Sequence, residues 1–208
     1  MADSLLAQAI GKRSEFYKSA LTVARAMLEG QRPTALVIGC CDSRVIPEAI
    51  MGAGPGEVFV SRVIANIVPP PGTADAAVMG SALEFAVTHL KVGHLVICGH
   101  THCGGLAALV SGVSAHDDPH LARWLEYARP AQTRVEAQAI FGEDEAARLD
   151  QIVEENVRLQ LAHVQEYEVV RRAAGSGALE LHGWVYELET GQVRYYEPVV
   201  DSFLLAAS

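Results

Sequence analysis

The sequence predicts an α/β protein: a mostly parallel central sheet of four to five strands flanked by helices, entered through an N-terminal helical arm. Three observations lead there. The stretches ALVIGCCDSR (residues 35–44) and HLVICGHTHCGG (residues 94–105) each open with a short apolar run that fits a buried strand. Glu57–Ala65 is a third strand candidate, rich in β-branched residues and preceded by turn chemistry at Ala53-Gly54-Pro55-Gly56. Between it and the strand at His94, Ala74–Leu90 reads as a helix with Thr73 as its cap and Asp75 in its first turn. Strand, helix and strand in that order describe a right-handed crossover.

The remaining elements follow the same logic. Ser4–Glu29 carries Leu6, Ile10, Phe16, Ala20, Val23, Met27 and Leu28 at helical intervals, with Gly30 as a stop and Gly11 as a point of division. Such an arm either folds back on its own sheet or lies across a neighbouring subunit. Leu106–Val110 continues from the second motif as a short helix. Asp118-Pro119 is a cap followed by a first-turn proline, opening a helix that should break near Pro130. Glu143–Ala173 reads as one long helix with Leu149, Ile152, Val153, Val157, Leu161 and Val164 on its apolar side, closed by Gly175-Ser176-Gly177. Leu179–Leu188 and Gln192–Glu197, joined through Glu189-Thr190-Gly191, read as a hairpin or a strand plus an edge strand.

The chain has 208 residues, 50% of them hydrophobic, which suits one domain with a full core. A formal net charge of -9 argues against nucleic acid or an anionic membrane surface as a partner. With no leader-like N-terminus and no apolar run of membrane-spanning length, the expected location is the cytoplasm. There, four cysteines are thiols or metal ligands rather than disulfides.

The two motifs define a candidate zinc site. Open parallel sheets bind ligands just beyond the carboxyl ends of their strands. Residues two apart in an extended segment share a face, so Cys40 and Asp42 point together while Cys41 turns toward the core. In a loop entering a helix, residues three apart converge, so His100 and Cys103 meet while His102 points elsewhere. Two thiolates, one imidazole and one oxygen donor form a tetrahedral set suited to Zn²⁺. A helix opening at Cys103 would favour its thiolate. The chain is then a single domain: residues 1–30 the arm, 31–111 the zinc-binding core, 112–208 the later helices and C-terminal strands. Cys98, inside its strand, reads as an apolar filler, and His116, Asp117, Asp118 and His120 as a solvated loop. Gly104-Gly105 reads as close packing after the strand, since no phosphate-loop pattern surrounds it.

The string Cys40-Cys41-Asp42-Ser43-Arg44, with His100-Thr101-His102-Cys103 and Gly104-Gly105 further on, resembles the paired C-x-D-x-R and H-x-x-C motifs of the β-class carbonic anhydrases. The likeness runs from about Gln31 to Leu109. It implies that Cys40, His100 and Cys103 hold one zinc ion per subunit and that a fourth position carries water or hydroxide, which attacks CO2 to give bicarbonate and a proton. It implies too that Asp42, held by Arg44, accepts a hydrogen bond from that water. In some members the same aspartate becomes a fourth ligand in a closed state; for this chain the Asp42–Arg44 pair is expected at neutral or alkaline pH, since a forked, charge-assisted contact explains Arg rather than Lys.

Pocket positions are carried over from the same resemblance. Gln31 and Phe59 match residues lining the CO2 pocket of plant-like members, with Ile64 where Val is usual and Phe85 where Tyr is usual, and Gly104 beside them. Val37 stands where the bicarbonate-regulated subgroup has Trp, so the non-catalytic bicarbonate site looks incomplete although Arg62 is present. Val63 stands where Asn is common. The family implies a homodimer with the arm at its interface, and assembly to a tetramer or higher. A carbonyl sulfide or carbon disulfide hydrolase would share the scaffold and metal set, and a non-catalytic zinc-stabilised module would not need Asp42 and Arg44. His102, His116 and His120 are candidates for proton transfer by pKa alone.

Overall fold

The computed structural model of the protein describes residue 28 and residues 30–138 and 144–206. The arm expected over Ser4–Glu29 lies outside these residues except for Leu28, and so does Glu143, where the long helix was expected to start.

The centre is a six-stranded sheet built from β1 (Ala35–Cys40), β2 (Val58–Val63), β3 (His94–His100), β4 (Glu180–Tyr186), β5 (Val193–Glu197) and β6 (Ser202–Leu205), in the order β2-β1-β3-β4-β5-β6. β2, β1, β3 and β4 run parallel, whereas β5 and β6 are antiparallel additions. The expected hairpin is β4 with β5. β6 is one strand more than the four to five expected, because four residues of edge strand next to the turn at Pro198–Asp201 leave too short an alternation to read. Every residue of β1 is buried, as its continuous apolar run requires of a strand covered on both faces.

The helices are α1 (Pro47–Ile50), α2 (Ala76–Glu84), α3 (Gly104–Ser111), α4 (Pro119–Leu125), α5 (Arg129–Gln138), α6 (Glu145–Glu166) and α7 (Glu168–Gly175). Three differ from expectation for local reasons. The helix predicted over 74–90 begins after Asp75, because Thr73 turns its hydroxyl back to the Pro70 carbonyl at 2.8 Å, and it finishes in π-helical turns at Phe85–Leu90 before Lys91 at φ 56°. The break expected near Pro130 comes earlier, in a 3-10 turn at Glu126–Ala128, and Pro130 sits in the first turn of α5, where its missing N–H costs nothing. The long helix expected to Ala173 is two helices. Tyr167 adopts an extended conformation (φ −71°, ψ 125°) and donates its hydroxyl to the Pro69 carbonyl at 2.6 Å, which ties the break to the loop entering the crossover.

The main core lies on one sheet face, where Leu36, Ile38, Leu95 and Ile97 meet Ile152, Val153, Val157, Leu161 and Val164 of α6. Close approach there depends on two glycines. A Cβ on Gly99 would stand 2.8 Å from Val157 Cγ2, and one on Gly183 2.8 Å from Leu161 Cδ1. The opposite face carries a smaller cluster of Val37, Val96 and Cys98, with Met51, Val58, Trp184 and Tyr186 around it. Cys98 is thus the apolar filler its position suggested. Among the described residues, no helix is long and apolar enough to cross a membrane.

Candidate metal centre

β1 and β3 are parallel neighbours, so their carboxyl ends bring Cys40 and His100 side by side, and the chain after His100 turns back to place Cys103 at the N-cap of α3. Donor atoms of Cys40, His100 and Cys103 all lie within 4.8 Å of one another, and all three residues are buried. Cys41 is not core: β1 ends at Cys40, the alternation stops with it, and the Cys41 side chain is exposed. That corrects the inward orientation expected for it.

The imidazole is prepared for a ligand. His100 Nδ1 bonds the Thr101 carbonyl at 2.8 Å, which makes Nδ1 the donor and leaves a lone pair on Nε2. Nε2 is buried and has no hydrogen-bond partner. A polar atom so placed is costly unless something fills the space it faces. The sulfurs show the same incompleteness. The Cys40 thiol is pulled down to about 4, chiefly because Cys103 bonds its thiolate, with the backbone amides of Asp42 and Ala65 adding to the effect against burial. The same contact, together with burial and the charge on Cys40, pushes Cys103 upward, although the amides of Leu106 and Gly105 in the first turn of α3 oppose it. One thiolate is therefore favoured and a second is not until a dication balances it. Two sulfurs and a free imidazole nitrogen fit Zn²⁺ in chemistry and in number.

Beside the three ligands stands a charged pair. Asp42 Oδ1 accepts from the Arg44 amide at 3.0 Å and from Arg44 Nε at 2.9 Å, while Oδ2 accepts from Nη2 at 2.7 Å. This fork holds the Asp42 carboxyl well below the usual carboxylate range, against the effect of desolvation. Oδ2 also lies 4.0 Å from His100 Nε2, so the carboxylate edges onto the space the ligands enclose. Arg44 Nη2 reaches the His102 carbonyl at 3.2 Å, linking the two motifs.

Other groups that hold the centre were not singled out from sequence. Arg62, read there only as part of an incomplete bicarbonate site, donates Nε to the Cys40 carbonyl at 2.9 Å and Nη2 to the Asp42 carbonyl. The loop after β2 passes the centre with Ala65 and Asn66 in left-handed conformations, held from α6 by Asn156 on the Ala65 carbonyl at 3.0 Å and by Gln160 on the Val68 amide at 2.8 Å. The signal for that pair was present: two amides four apart, adjoining Val157 and Leu161 on an otherwise apolar stripe. Gly105 is needed for packing, since a Cβ would meet Ile64 Cγ2 at 2.8 Å and Ala65 Cβ at 3.2 Å, whereas Gly104 has open space where its Cβ would stand.

The pocket positions are more dispersed. Ile64 is at the strand end with the ligands, its side chain against Gly105. Phe59 and Phe85 pair with ring centroids 5.8 Å apart. Gln31, Ile64 and Phe85 are exposed in the single chain. His102, at φ 53°, bonds Glu189 in the turn after β4, and His116 and His120 lie on the exposed loop and the helix start that follows it.

An α/β sheet whose parallel strand ends gather two thiols and an imidazole beside an arginine-held carboxylate defines a metal-dependent enzyme centre. A family model described as "Carbonic anhydrase" matches residues 35–193. The chain is 42% identical over 181 residues to "Carbonic anhydrase" of Pseudomonas aeruginosa, covering 87% of this chain and 78% of that one. Among solved structures it is similar to "The structure of the beta-carbonic anhydrase CcaA" (TM-score 0.90, 32% identity, 98% of this chain and 91% of that). It is similar also to tetrameric β-carbonic anhydrases from Sordaria macrospora (TM-score 0.81, 30% identity, 97% and 98% covered). The chain belongs to the β-class carbonic anhydrases.

Proposed function

We propose that this protein catalyses the reversible hydration of CO2 to bicarbonate and a proton, using one zinc ion per chain held by Cys40, His100 and Cys103. The observation that carries this reading is the buried, unpartnered Nε2 of His100 facing two thiols beside a carboxylate fixed by Arg44. When bound, zinc supplies Lewis acidity that brings the pKa of a water molecule toward neutrality.

The chain's own residues do the rest. Asp42, ionised throughout the neutral range, can only accept hydrogen bonds, so it takes one from the attacking water and turns that water's free lone pair toward CO2. Arg44 fixes the carboxylate by its fork and Arg62 fixes the backbone on either side of it. Phe59, Ile64 and Phe85 supply the apolar wall a small neutral gas needs, the Gln31 amide orients it, and Gly104 leaves room. Of these, Gln31 and Phe59 match pocket residues of plant-like members, which supports placing the chain with them, while Ile64 and Phe85 stand where Val and Tyr are usual.

A second copy of this chain completes the wall. Gln31, Ile64 and Phe85 are open to solvent in one chain, and a homodimer, alone or within a tetramer such as the Sordaria macrospora relatives form, covers them. The acidic charge and the four free cysteines suit the cytoplasm.

Stopped-flow CO2 hydration with parallel zinc analysis tests the reading. The rate should rise in proportion to zinc content. Zinc-loaded protein that leaves CO2 hydration at its spontaneous rate, or that releases hydrogen sulfide from carbonyl sulfide while leaving CO2 untouched, contradicts it.

A further inference from the structure

The geometry points to a second metal site at the opposite end of the sheet, formed by His94, Glu180 and His182 and suited to a divalent transition ion of the zinc–nickel–copper group. His94 opens β3 and pairs in parallel register with Glu180, which opens β4, and His182 follows two residues later on the same face as Glu180. Three metal-capable side chains thus project together from two hydrogen-bonded strands.

The distances match coordination. His94 Nδ1 lies 3.1 Å from His182 Nε2 and 3.5 Å from Glu180 Oε2, and His182 Nε2 lies 3.8 Å from that same oxygen. Those separations straddle the donor–donor edge of about 3.3 Å expected of a tetrahedral set whose metal–nitrogen and metal–oxygen bonds are about 2.0 Å. Two imidazoles and one carboxylate on one side, with the other side open to water, form the facial arrangement that borderline divalent ions take. Mg²⁺ and Ca²⁺ prefer all-oxygen sites and are disfavoured here. Without metal, the two rings share one hydrogen bond. On binding, the proton between them moves to the other nitrogen of its own ring, both lone pairs turn to the ion, and no oxidant or reductant is involved.

The site is independent of the hydration reading. Side-chain exposures of 49% for His94, 34% for His182 and 69% for Glu180 make it solvent-accessible, so an ion there exchanges readily and staples β3 to β4. Untagged protein already carrying one zinc per chain, dialysed against micromolar Ni²⁺ in excess Mg²⁺, should take up one Ni²⁺ per chain. His94→Ala and His182→Ala should each weaken that uptake at least tenfold, and Glu180→Gln by less, while the original zinc and the CO2 hydration rate stay unchanged. Cu²⁺ bound in place of Ni²⁺ should show coupling to two imidazole nitrogens by electron paramagnetic resonance. Uptake of no second ion, or uptake that all three variants retain at wild-type affinity with native circular dichroism, overturns the site.

Discussion

Strand β3 presents a histidine among metal-capable neighbours at each end, and the two ends differ in almost every other respect. At the carboxyl end, His100 is fully buried with two cysteines, its Nδ1 committed to a backbone carbonyl and its Nε2 to nothing. At the amino end, His94 stands half in water beside Glu180, and its ring shares a hydrogen bond with His182. A buried set of unpaired donors makes a metal part of the fold, because leaving it out strands polar atoms that water cannot reach. An exposed set already bonded within itself gains less from an ion and loses less without one. Permanent and exchangeable metal chemistry can thus share a single strand, separated by burial.

The largest expected effect comes from the buried end. Cys40→Ser or His100→Ala should remove stoichiometric zinc and bring CO2 hydration to the spontaneous rate, read by metal analysis and stopped flow. Either variant retaining full activity would erase the difference between the ends. Next, Arg44→Lys keeps the charge but loses the fork on Asp42, so kcat/KM should fall by about 10- to 100-fold while zinc content is unchanged.

The scaffold common to both ends gives a smaller effect. In Gly183→Ala the new methyl would stand 2.8 Å from Leu161 Cδ1 and 2.9 Å from Val157 Cγ1, so stability in urea should drop by about 1–3 kcal/mol. Protein that does fold should keep its catalytic zinc, since this contact lies under β4 and not at the ligands.

Acid titration sharpens the contrast further. The folded Asp42 carboxyl titrates below its unfolded value because Arg44 donates to it. The stability it contributes is therefore complete above the ordinary carboxylate pKa of about 4 and is lost as pH falls below that. Asp42→Asn should diverge from wild type least in acid and keep a constant offset from about pH 5 upward, as followed by unfolding midpoints. The smallest expected effect is none: His182→Ala should leave CO2 hydration at the wild-type rate.

The legibility of these features in the sequence followed how local their causes are. The strands of the core and the gathering of Cys40, His100 and Cys103 were legible, since a continuous apolar run ending in Cys or His marks both the strand and the end where such side chains meet. The break at Tyr167 was not, because helical periodicity continues through it and the carbonyls that draw its hydroxyl inward, Pro69 and Ala76, are about ninety or more residues away. Cys41 misled because alternation was extended one residue past the end of β1. Arg62 acts by gripping backbone carbonyls, a role no residue pattern signals, and the His94–Glu180–His182 group depends on a strand register that joins positions more than eighty residues apart. The amides Asn156 and Gln160 could have been found as polar intrusions on an apolar stripe.

X-ray absorption at the zinc edge of protein carrying one equivalent per chain tests the central claim most directly. Two sulfur scatterers at about 2.3 Å with nitrogen or oxygen neighbours at about 2.0–2.1 Å are predicted, and Cys103→Ser should lose one of the sulfurs or the metal itself. A first equivalent surrounded by nitrogen and oxygen alone would contradict the account, because it would place the tightly held ion somewhere other than the buried end of β3.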